Sequence, residues 1–320
     1  MNYIVFDLEW NQGNERIEKQ RKEIPFEIIE IGAVRLNGQM EITGEFSRII
    51  RPQVYRQMHP MTKELLHIDM EELQEGESFP DVMEGFLAWC GQEGEYRFAT
   101  WGPQDLTELQ RNMSYFGMKP LSSGPIRFYD VQKLYAIAFE EPKMRRNLEH
   151  AVDSLQISKD VPFHRAFGDA YYTARVFERI KDPQVLQRIS FDSFQVPQNR
   201  KDEIHIVFDD YAKYISRRFE DKAQLLADKE VSGTKCYLCH RNLKRKIKWF
   251  TPNGKHYYSL SLCPKHGYMK GKIRVRRCGG EGVYAVKTTK FISEEEAAAL
   301  FTRKERAEAV KKMKGRTPGE

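Results

Sequence analysis

The sequence predicts an α/β fold in its first half, a mixed sheet flanked by helices, followed by a small, cysteine-containing, β-rich module. Three observations lead to this prediction. The first half alternates runs of β-branched and aromatic residues with helical patterns. Four of the five cysteines fall between residues 236 and 278. The net charge also changes sign between the two halves, which indicates two parts with different partners.

The strand signals come first along the chain. Residues 3–10 and 27–36 are apolar, β-branched and aromatic runs typical of buried strands, and Asn37–Gly38 predicts a hairpin turn into a third strand. Because strands and helices then alternate, we expect one mixed sheet with helices packed on it. The remaining predicted elements are strands at 42–50, 96–101 and 126–131 and helices at 80–90, 104–117, 131–139, 145–155 and 166–181.

A chain of 320 residues is long enough for two domains or for one domain with an appendage. Residues 204–219 fit a strand or an amphipathic helix equally well. Ser293 with Glu296 forms a capping box for a last helix near 294–314, and we expect a frayed tail after residue 315. The expected domains are residues 1–182, an extension at 183–232, the cysteine module at 233–290 and a helix with a tail at 291–320.

Composition narrows the class of protein. The chain is 40% hydrophobic and 12% aromatic, which is ordinary for a globular protein. No apolar run approaches the roughly 20 residues that a membrane-spanning helix needs. Asp7 and Glu9 interrupt the apolar N-terminus and no small-residue cleavage site follows, so we expect no signal peptide, no membrane partner and a cytoplasmic protein. An odd number of cysteines then argues against a disulfide framework.

The formal net charge of +6 is the sum of an acidic first part and a basic second part of the chain. Residues 1–200 carry 24 Lys and Arg against 31 Asp and Glu, whereas residues 201–320 carry 28 against 15. Between Val231 and Gly280 there are 13 basic residues and no acidic one. This asymmetry predicts a polyanionic partner for the second half without specifying which polyanion.

Asp7 and Glu9 lie two positions apart on the first predicted strand. Side chains alternate along a strand, so both carboxylates point to one face while Phe6 and Leu8 point to the other. Two adjacent acids repel each other unless a cation lies between them, and a hard divalent cation prefers such ligands. The alternative is two acids on the exposed face of an edge strand, although the apolar remainder of the strand disfavours an edge.

Three further residues could form one metal-binding, catalytic site together with Asp7 and Glu9. Asp105 follows the fourth strand after Trp101–Gly102, and Asp169 enters a helix five residues after His164. Imidazole can take a proton from water at neutral pH. Each residue also has an ordinary interpretation, since the helix dipole alone favours an acid in a first helical turn and a lone histidine is usually a surface or capping residue.

Taken together, the ordered set resembles the DEDDh 3′→5′ exonucleases, which have an RNase H-like fold. The most specific parts of the resemblance are the acid-x-acid strand and the segment HRAFGDAYYTARVF at 164–177. The motif around Asp105 is less specific. Within that family, the Trp101–Gly102 context and this segment look closest to KapD-type bacterial exonucleases and eukaryotic small-RNA-trimming exonucleases. The resemblance covers residues 1–182 and implies an RNase H-like mixed sheet flanked by helices.

The resemblance also implies residue roles. Asp7, Glu9 and Asp169 would bind the first of two Mg²⁺ or Mn²⁺ ions, and Asp7 with Asp105 would hold the second. His164 would be the general base for the attacking water. Two ions about 4 Å apart suit this chemistry, because one activates the water and the other stabilises the leaving oxygen.

Two more residues near the first strand have open roles. Many family members place small or hydroxylated residues after the strand glutamate, whereas this chain has Trp10–Asn11. Trp10 could stack on a base, narrow the pocket or belong to the core. Glu30 on the second strand could support the site from behind, but a salt bridge to a nearby Arg or Lys is the favoured interpretation.

The cysteine module has a two-knuckle pattern. Cys236 and Cys239 form the first pair, and Cys263 with His266 forms the second after 23 intervening residues. Four such ligands suit one structural Zn²⁺, which would supply the stability that a polar segment cannot gain by burial. The alternative is unpaired thiols, and His240, His256 or Cys278 could replace His266. The module therefore predicts a zinc-stapled, zinc-ribbon-like fold.

Basic residues interleaved with aromatic ones surround these knuckles. Such a pattern favours a surface that follows phosphates and stacks bases, although a solvated basic face or a site for an acidic protein fits it too. The candidate nucleic-acid-binding residues here are Lys244, Arg245, Lys246, Lys248, Trp249, Arg274, Arg276 and Arg277.

The predicted function is metal-dependent hydrolysis of a nucleic acid from its 3′ end, with the zinc module raising affinity. RNA is favoured over single-stranded DNA because the branch that the chain resembles contains RNA trimmers, and the sequence predicts no particular protein partner. The alternative is a non-catalytic nucleic-acid-binding adaptor or regulator in which the sheet domain is a scaffold.

Overall fold

The computed structural model describes residues 1–14, 19–142 and 144–314, with side chains described up to residue 310. The chain forms two compact units, Met1–Phe194 and Gln195–Glu320. The tail expected after residue 315 lies outside the described residues. Within the described ranges, no helix combines the length and the apolar character that crossing a lipid bilayer requires.

The first unit is built on a six-stranded mixed sheet with the strand order β3-β2-β1-β4-β5-β6. The first three strands are antiparallel, β4 and β5 run parallel to β1, and β6 is antiparallel to β5. The predicted fold class is confirmed. The strands are β1 (Asn2–Gln12), β2 (Phe26–Leu36), β3 (Ile42–Ile49), β4 (Tyr96–Thr100), β5 (Ile126–Asp130) and β6 (Ser190–Asp192).

Helices cover both faces of this sheet. Ile4, Phe6 and Leu8 of β1 join the core on one face, and Val5 joins the core on the other. This alternation is what a strand buried on both faces requires. The helices are α1 (Pro60–Leu66), α2 (Met70–Gln74), α3 (Phe79–Gly91), α4 (Gln104–Tyr115), α5 (Val131–Phe139), α6 (Leu148–Ser154), α7 (Ala166–Arg179) and α8 (Pro183–Leu186).

The second unit contains a six-stranded sheet with the order β7-β8-β12-β11-β10-β9, in which every pairing is antiparallel. The segment 204–219, which the sequence left undecided, supplies two strands and no helix. The elements are a 3-10 turn (Arg200–Asp202), β7 (Ile204–Val207), β8 (Tyr211–Ile215), α9 (Lys222–Ala227), α10 (Lys229–Ser232), β9 (Lys244–Phe250), β10 (His256–Cys263), β11 (Gly267–Arg277), β12 (Val283–Phe291) and α11 (Glu294–Lys314).

Helix α11 begins at the predicted capping box. The backbone N–H of Glu296 donates to the Ser293 hydroxyl, and the backbone N–H of Ser293 donates to the Glu296 carboxylate, both at 3.2 Å. Ala297 and Leu300 then pack on Tyr258 and Leu260 of β10, which covers part of one sheet face.

Candidate carboxylate and cysteine centres

Strand β1 presents Asp7 and Glu9 on the face that α7 covers. Their partners in the antiparallel register are Gly32 and Glu30 of β2. A bulge after Glu9 shifts the register, so that Trp10 pairs with Ile28. The predicted common direction of the two carboxylates follows from this strand geometry.

Gly32 lets α7 approach the strands closely, and Gly168 lets the first turn of α7 lie against the loop that precedes it. An ideal Cβ built on Gly32 would lie 2.0 Å from the backbone nitrogen of Phe167, and one built on Gly168 would lie 2.0 Å from the carbonyl oxygen of Pro162. No side chain fits at either position. The missing Cβ of Gly32 therefore allows the first turn of α7 to contact β2 next to Asp7.

This contact brings Asp169 to the strand acids. Asp7, Glu9 and Asp169 are half-buried, and each offers a carboxylate oxygen within 4.8 Å of the others. Asp105 lies in the first turn of α4, is only 6% exposed and is close enough to Asp7 for the two charges to interact. It lies outside the group of three.

The electrostatics of the four acids reflect a shared, desolvated position. Burial, reinforced by repulsion between the acids, raises the pKa of Asp7 well above its usual range and that of Glu9 to about 8. Burial likewise raises the pKa of Asp105 to about 7 and that of Asp169 to about 6. Among the described residues, no ion pair neutralises any of the four.

These acids fit divalent metal ions. Hard cations such as Mg²⁺ and Mn²⁺ prefer carboxylate oxygens, and a positive ion would offset both the repulsion and the raised pKa values. Asp7, Glu9 and Asp169 are spaced to share one ion. Asp105, next to Asp7, is the carboxylate available to a second.

His164 lies beside this cluster, in the loop before α7. Its backbone adopts a left-handed conformation with φ of 61°, and its backbone N–H donates to the Asp169 carboxylate at 3.4 Å. Histidine is among the residues that tolerate this region of backbone space. The side chain is exposed, as a group that meets solvent and substrate must be.

Arg165 anchors the same loop. Its Nε donates to both carboxylate oxygens of Glu30, at 3.2 and 3.0 Å, and Glu30 is 2% exposed. The salt bridge favoured for Glu30 is therefore present. Sequence reasoning missed Arg165, whose position next to His164 was the only available signal. Since Glu30 lies on β2, this pair ties the histidine loop to the sheet.

The second centre is the cysteine cluster. Cys236, Cys239, Cys263 and His266 offer ligand atoms that all lie within 4.8 Å of one another. The Sγ atoms of Cys239 and Cys263 are 3.7 Å apart, and the Nδ1 of His266 lies 3.3 Å from the Sγ of Cys236. Tetrahedral zinc with metal–sulfur bonds of about 2.3 Å gives sulfur–sulfur edges of about 3.8 Å. The four residues therefore fit structural zinc.

The alternative ligands lie outside this cluster. His256 begins β10 and Cys278 follows β11, whereas Cys263 ends β10 where β11 begins, so both residues are at the far end of the hairpin. His240 follows the first cysteine pair in a left-handed conformation and is exposed. The backbone N–H of Arg241 lowers the pKa of the Cys239 thiol, which favours the thiolate that a metal needs.

The candidate nucleic-acid contacts divide into exposed and packed residues. Trp249 lies against Gly271 and Ser259, and its indole N–H donates to the carbonyl of Ser232 at 2.7 Å. Trp10 packs on Phe26 at the edge of the first core. The exposed residues are Lys244, Arg245, Lys246, Lys248, Arg274, Arg276 and Arg277.

Comparisons with known proteins identify the first unit. The family model described as Exonuclease (RNase T) matches residues 4–177. Human 3′-5′ exoribonuclease 1 is 23% identical over 186 residues, covering 55% of this chain and 51% of the relative, and the rat protein of that name is 23% identical over 183 residues. The chain thus spans about half the length of the curated relatives it matches.

Solved structures give weaker likenesses. The nuclease domain of 3′hExo, described as a DEDDh family member bound to rAMP, has a TM-score of 0.49 and 22% identity, covering 60% of this chain and 96% of that one. S. pombe Pop2p in its Mg²⁺ and Mn²⁺ bound form has a TM-score of 0.43 and 19% identity, covering 57% and 83%. Since the family match takes in more than half of the residues, this chain belongs to the exonuclease family that the RNase T model describes.

Proposed function

We propose that the protein is a metal-dependent 3′→5′ exonuclease that acts on RNA in preference to single-stranded DNA. The observation that carries this proposal is the meeting of Asp7, Glu9 and Asp169 within 4.8 Å, from residues 162 positions apart in sequence. Family membership and the names of the exoribonuclease relatives support it. We place its activity in the cytoplasm.

In this proposal, the acids hold the cofactors and the histidine moves the proton. Asp7, Glu9 and Asp169 hold one Mg²⁺ or Mn²⁺, and Asp7 with Asp105 holds another. When bound, the two ions would supply an activated water and charge stabilisation at the leaving 3′ oxygen. His164 would act as the general base for the attacking water, and its exposed position gives it access to solvent and substrate.

The Arg165–Glu30 ion pair positions His164. Glu30 is buried on β2, the strand that pairs with β1 next to Asp7 and Glu9. The ion pair therefore holds the histidine loop against β2. A fixed general base is worth more than a mobile one, since misplacement by about 1 Å can cost a factor of about 100 in rate. Arg165 is thus a positioning residue.

The second unit assists by holding nucleic acid. Zinc on Cys236, Cys239, Cys263 and His266 fixes the module, and exposed Lys and Arg residues on β9 and β11 follow the phosphate backbone. Binding through these residues raises substrate affinity and leaves the chemistry to the first unit.

The test compares digestion of 3′-labelled and 5′-labelled RNA and DNA oligomers by the wild type and by Asp7→Asn. We expect the wild type to shorten 5′-labelled RNA stepwise with Mg²⁺, to release 3′-labelled mononucleotide, and to stop at a blocked 3′ end. Asp7→Asn should lose at least about 100-fold in rate, because it removes the carboxylate shared by both ions.

Three outcomes would overturn the proposal. Equal cutting of circular and linear strands would show an endonuclease. Undiminished digestion in excess chelator would exclude the metal mechanism. Tight binding by the wild type and by Asp7→Asn, without cleavage by either, would show a nucleic-acid-binding adaptor.

A further inference from the structure

A cleft in the second unit lies beside the first cysteine knuckle, and Cys236 and His240 are among the residues that line it. Its volume is about 530 Å³, and it opens between strands β7, β8 and β12 on one side and α10 with the first cysteine knuckle on the other. Five of the side chains that line it are Lys or Arg, two are His and one is acidic. A cavity of this size accommodates a small organic ligand, and its walls favour an anion.

The cations are arranged at two depths. Lys229 on α10 and Lys235 before the knuckle are exposed at the rim. Lys287 on β12 lies at the floor, where its Nζ donates to the carbonyl oxygens of Glu230 and Gly233. Burial lowers the pKa of Lys287 to about 8. The rim amines are therefore the groups available to a phosphate, and Lys287 holds the α10 wall in place.

Aromatic rings line the same cleft. His205 packs on Tyr214 with ring centroids 4.6 Å apart, and Tyr237 lies on the knuckle wall. Inorganic phosphate needs no such rings, and an acidic protein segment gains little from a cleft of the volume of one small ligand. A nucleotide uses all three features, since its phosphate pairs with amines, its base stacks on a ring and its size suits the volume.

We infer that this cleft binds one nucleotide unit of a single-stranded nucleic acid, with the phosphate at Lys229 and Lys235 and the base against Tyr237. The inference rests on the proposed function for its choice of ligand. It adds a binding site that the exposed basic strands do not include.

The test measures binding of a 5′-fluorescein-labelled single-stranded RNA 12-mer to the full chain by fluorescence anisotropy, in an Asp7→Asn background with Mg²⁺ so that no turnover occurs. The cleft variant is Lys229→Glu with Lys235→Glu. The matched control is Lys119→Glu with Lys181→Glu, which makes the same charge change at exposed positions outside the cleft and outside both candidate centres. We expect the cleft variant to bind at least about 10-fold more weakly than the control.

A second variant tests the base. Tyr237 also packs on Phe291 and its hydroxyl donates to the carbonyl oxygen of Asp210. Tyr237→Leu removes the ring and should weaken binding about 5-fold or more, since stacking on an aromatic ring is worth about 1–3 kcal/mol per base, whereas Tyr237→Phe keeps the ring and should bind like the wild type. Unchanged zinc content and Tm in every variant would exclude unfolding as the cause.

The two proposals fail separately. If the wild type digests RNA while the cleft variant and the control bind equally well, the cleft inference is wrong and the proposed function stands. If the cleft variant alone loses binding while the wild type digests nothing, the inference stands and the enzymatic proposal fails. Failure of the Asp7→Asn protein to bind the 12-mer would overturn the cleft inference outright.

Discussion

At the scale of single residues, the carboxylate cluster destabilises the folded protein when no metal is bound. Asp105, Asp169 and Glu9 hold their protons at pKa values of about 7, 6 and 8, whereas carboxyl groups in an unfolded chain ionise near pH 4. Between about pH 4 and about pH 8, the folded state therefore binds more protons than the unfolded state. By linkage, its stability falls as the pH rises from about 4 to about 8.

This relation predicts a stabilising substitution in the carboxylate cluster. Asp7→Asn removes one charge from the cluster and keeps the shape of the side chain. In chelator at pH 8 its Tm should exceed that of the wild type by at least about 2 °C, since relief of about 1 kcal/mol of repulsion shifts Tm by about 2–4 °C in a domain of this size. At pH 5, where the acids are protonated, the difference should shrink.

Saturating Mg²⁺ should reverse the order, because only the wild type keeps the full ligand set. The control is Asp160→Asn, an exposed acid outside the cluster, which should change Tm by less than about 1 °C. A wild type that is more stable than Asp7→Asn in chelator at pH 8 would mean that the acids do not repel one another.

Part of this site could be predicted from sequence alone. Strand alternation predicts that Asp7 and Glu9 share a face. The approach of Asp169 could not be predicted from spacing, because it depends on Gly32, which is distant in sequence from α7. The packing of Trp249 in a core could not be predicted either, since it depends on a register shift in the pairing of β9 with β10.

At the scale of elements, the contact between α7 and β2 assembles the site. A methyl group on Gly32 would meet the backbone of Ala166 and Phe167, which cannot rotate away as a side chain can. Gly32→Ala should therefore push α7 off the strand, destabilise the protein by about 1–3 kcal/mol and separate Asp169 from Asp7. We expect digestion to fall at least 100-fold, consistent with the cost of misplaced groups of about 1 Å.

The matched control is Gly85→Ala. Gly85 lies in α3, and a Cβ there would meet no atom within 4 Å. Alanine should stabilise this helix by up to about 1 kcal/mol and leave digestion unchanged. Urea unfolding and Mg²⁺-dependent digestion of both variants provide the measurements. Wild-type activity in Gly32→Ala would show that the close approach is not needed.

The sequence predicted those elements that are long enough to show a repeating pattern of apolar residues. The predicted strands and helices of the first unit form, with ends within a few residues. Helices α1 and α2, with seven and five residues, were missed because so short a segment shows no periodicity. The segment 204–219 stayed ambiguous because β8 becomes a strand through pairing with β12, about 70 residues further along the chain.

At the scale of the whole molecule, positive charge is concentrated in the second half. Arg274, Arg276 and Arg277 are exposed at the end of β11, within a segment that has no acidic residue between Val231 and Gly280. Contacts with phosphates release counterions, so affinity falls with salt in proportion to the number of contacts.

Replacing these three arginines with alanine should flatten the slope of log affinity against log salt by about 2, since each contact with a single strand contributes about 0.7. The measurement is the anisotropy of the labelled RNA at salt concentrations from about 50 to about 200 mM. Lys119, Arg179 and Lys181 of the first unit are exposed, and their replacement with alanine is the control. An unchanged slope in the arginine variant would mean that these side chains face something other than nucleic acid.

The last strand of the first unit determines where a recombinant fragment of that unit can end. Asp192 of β6 accepts from the Thr107 hydroxyl at 2.5 Å and from the Gln110 amide at 2.7 Å, which ties β6 to the helix that carries Asp105. β6 also occupies the outer edge of β5. A recombinant fragment ending at residue 182 would expose that edge, inviting intermolecular strand addition and aggregation. A fragment ending at residue 194 keeps the edge covered.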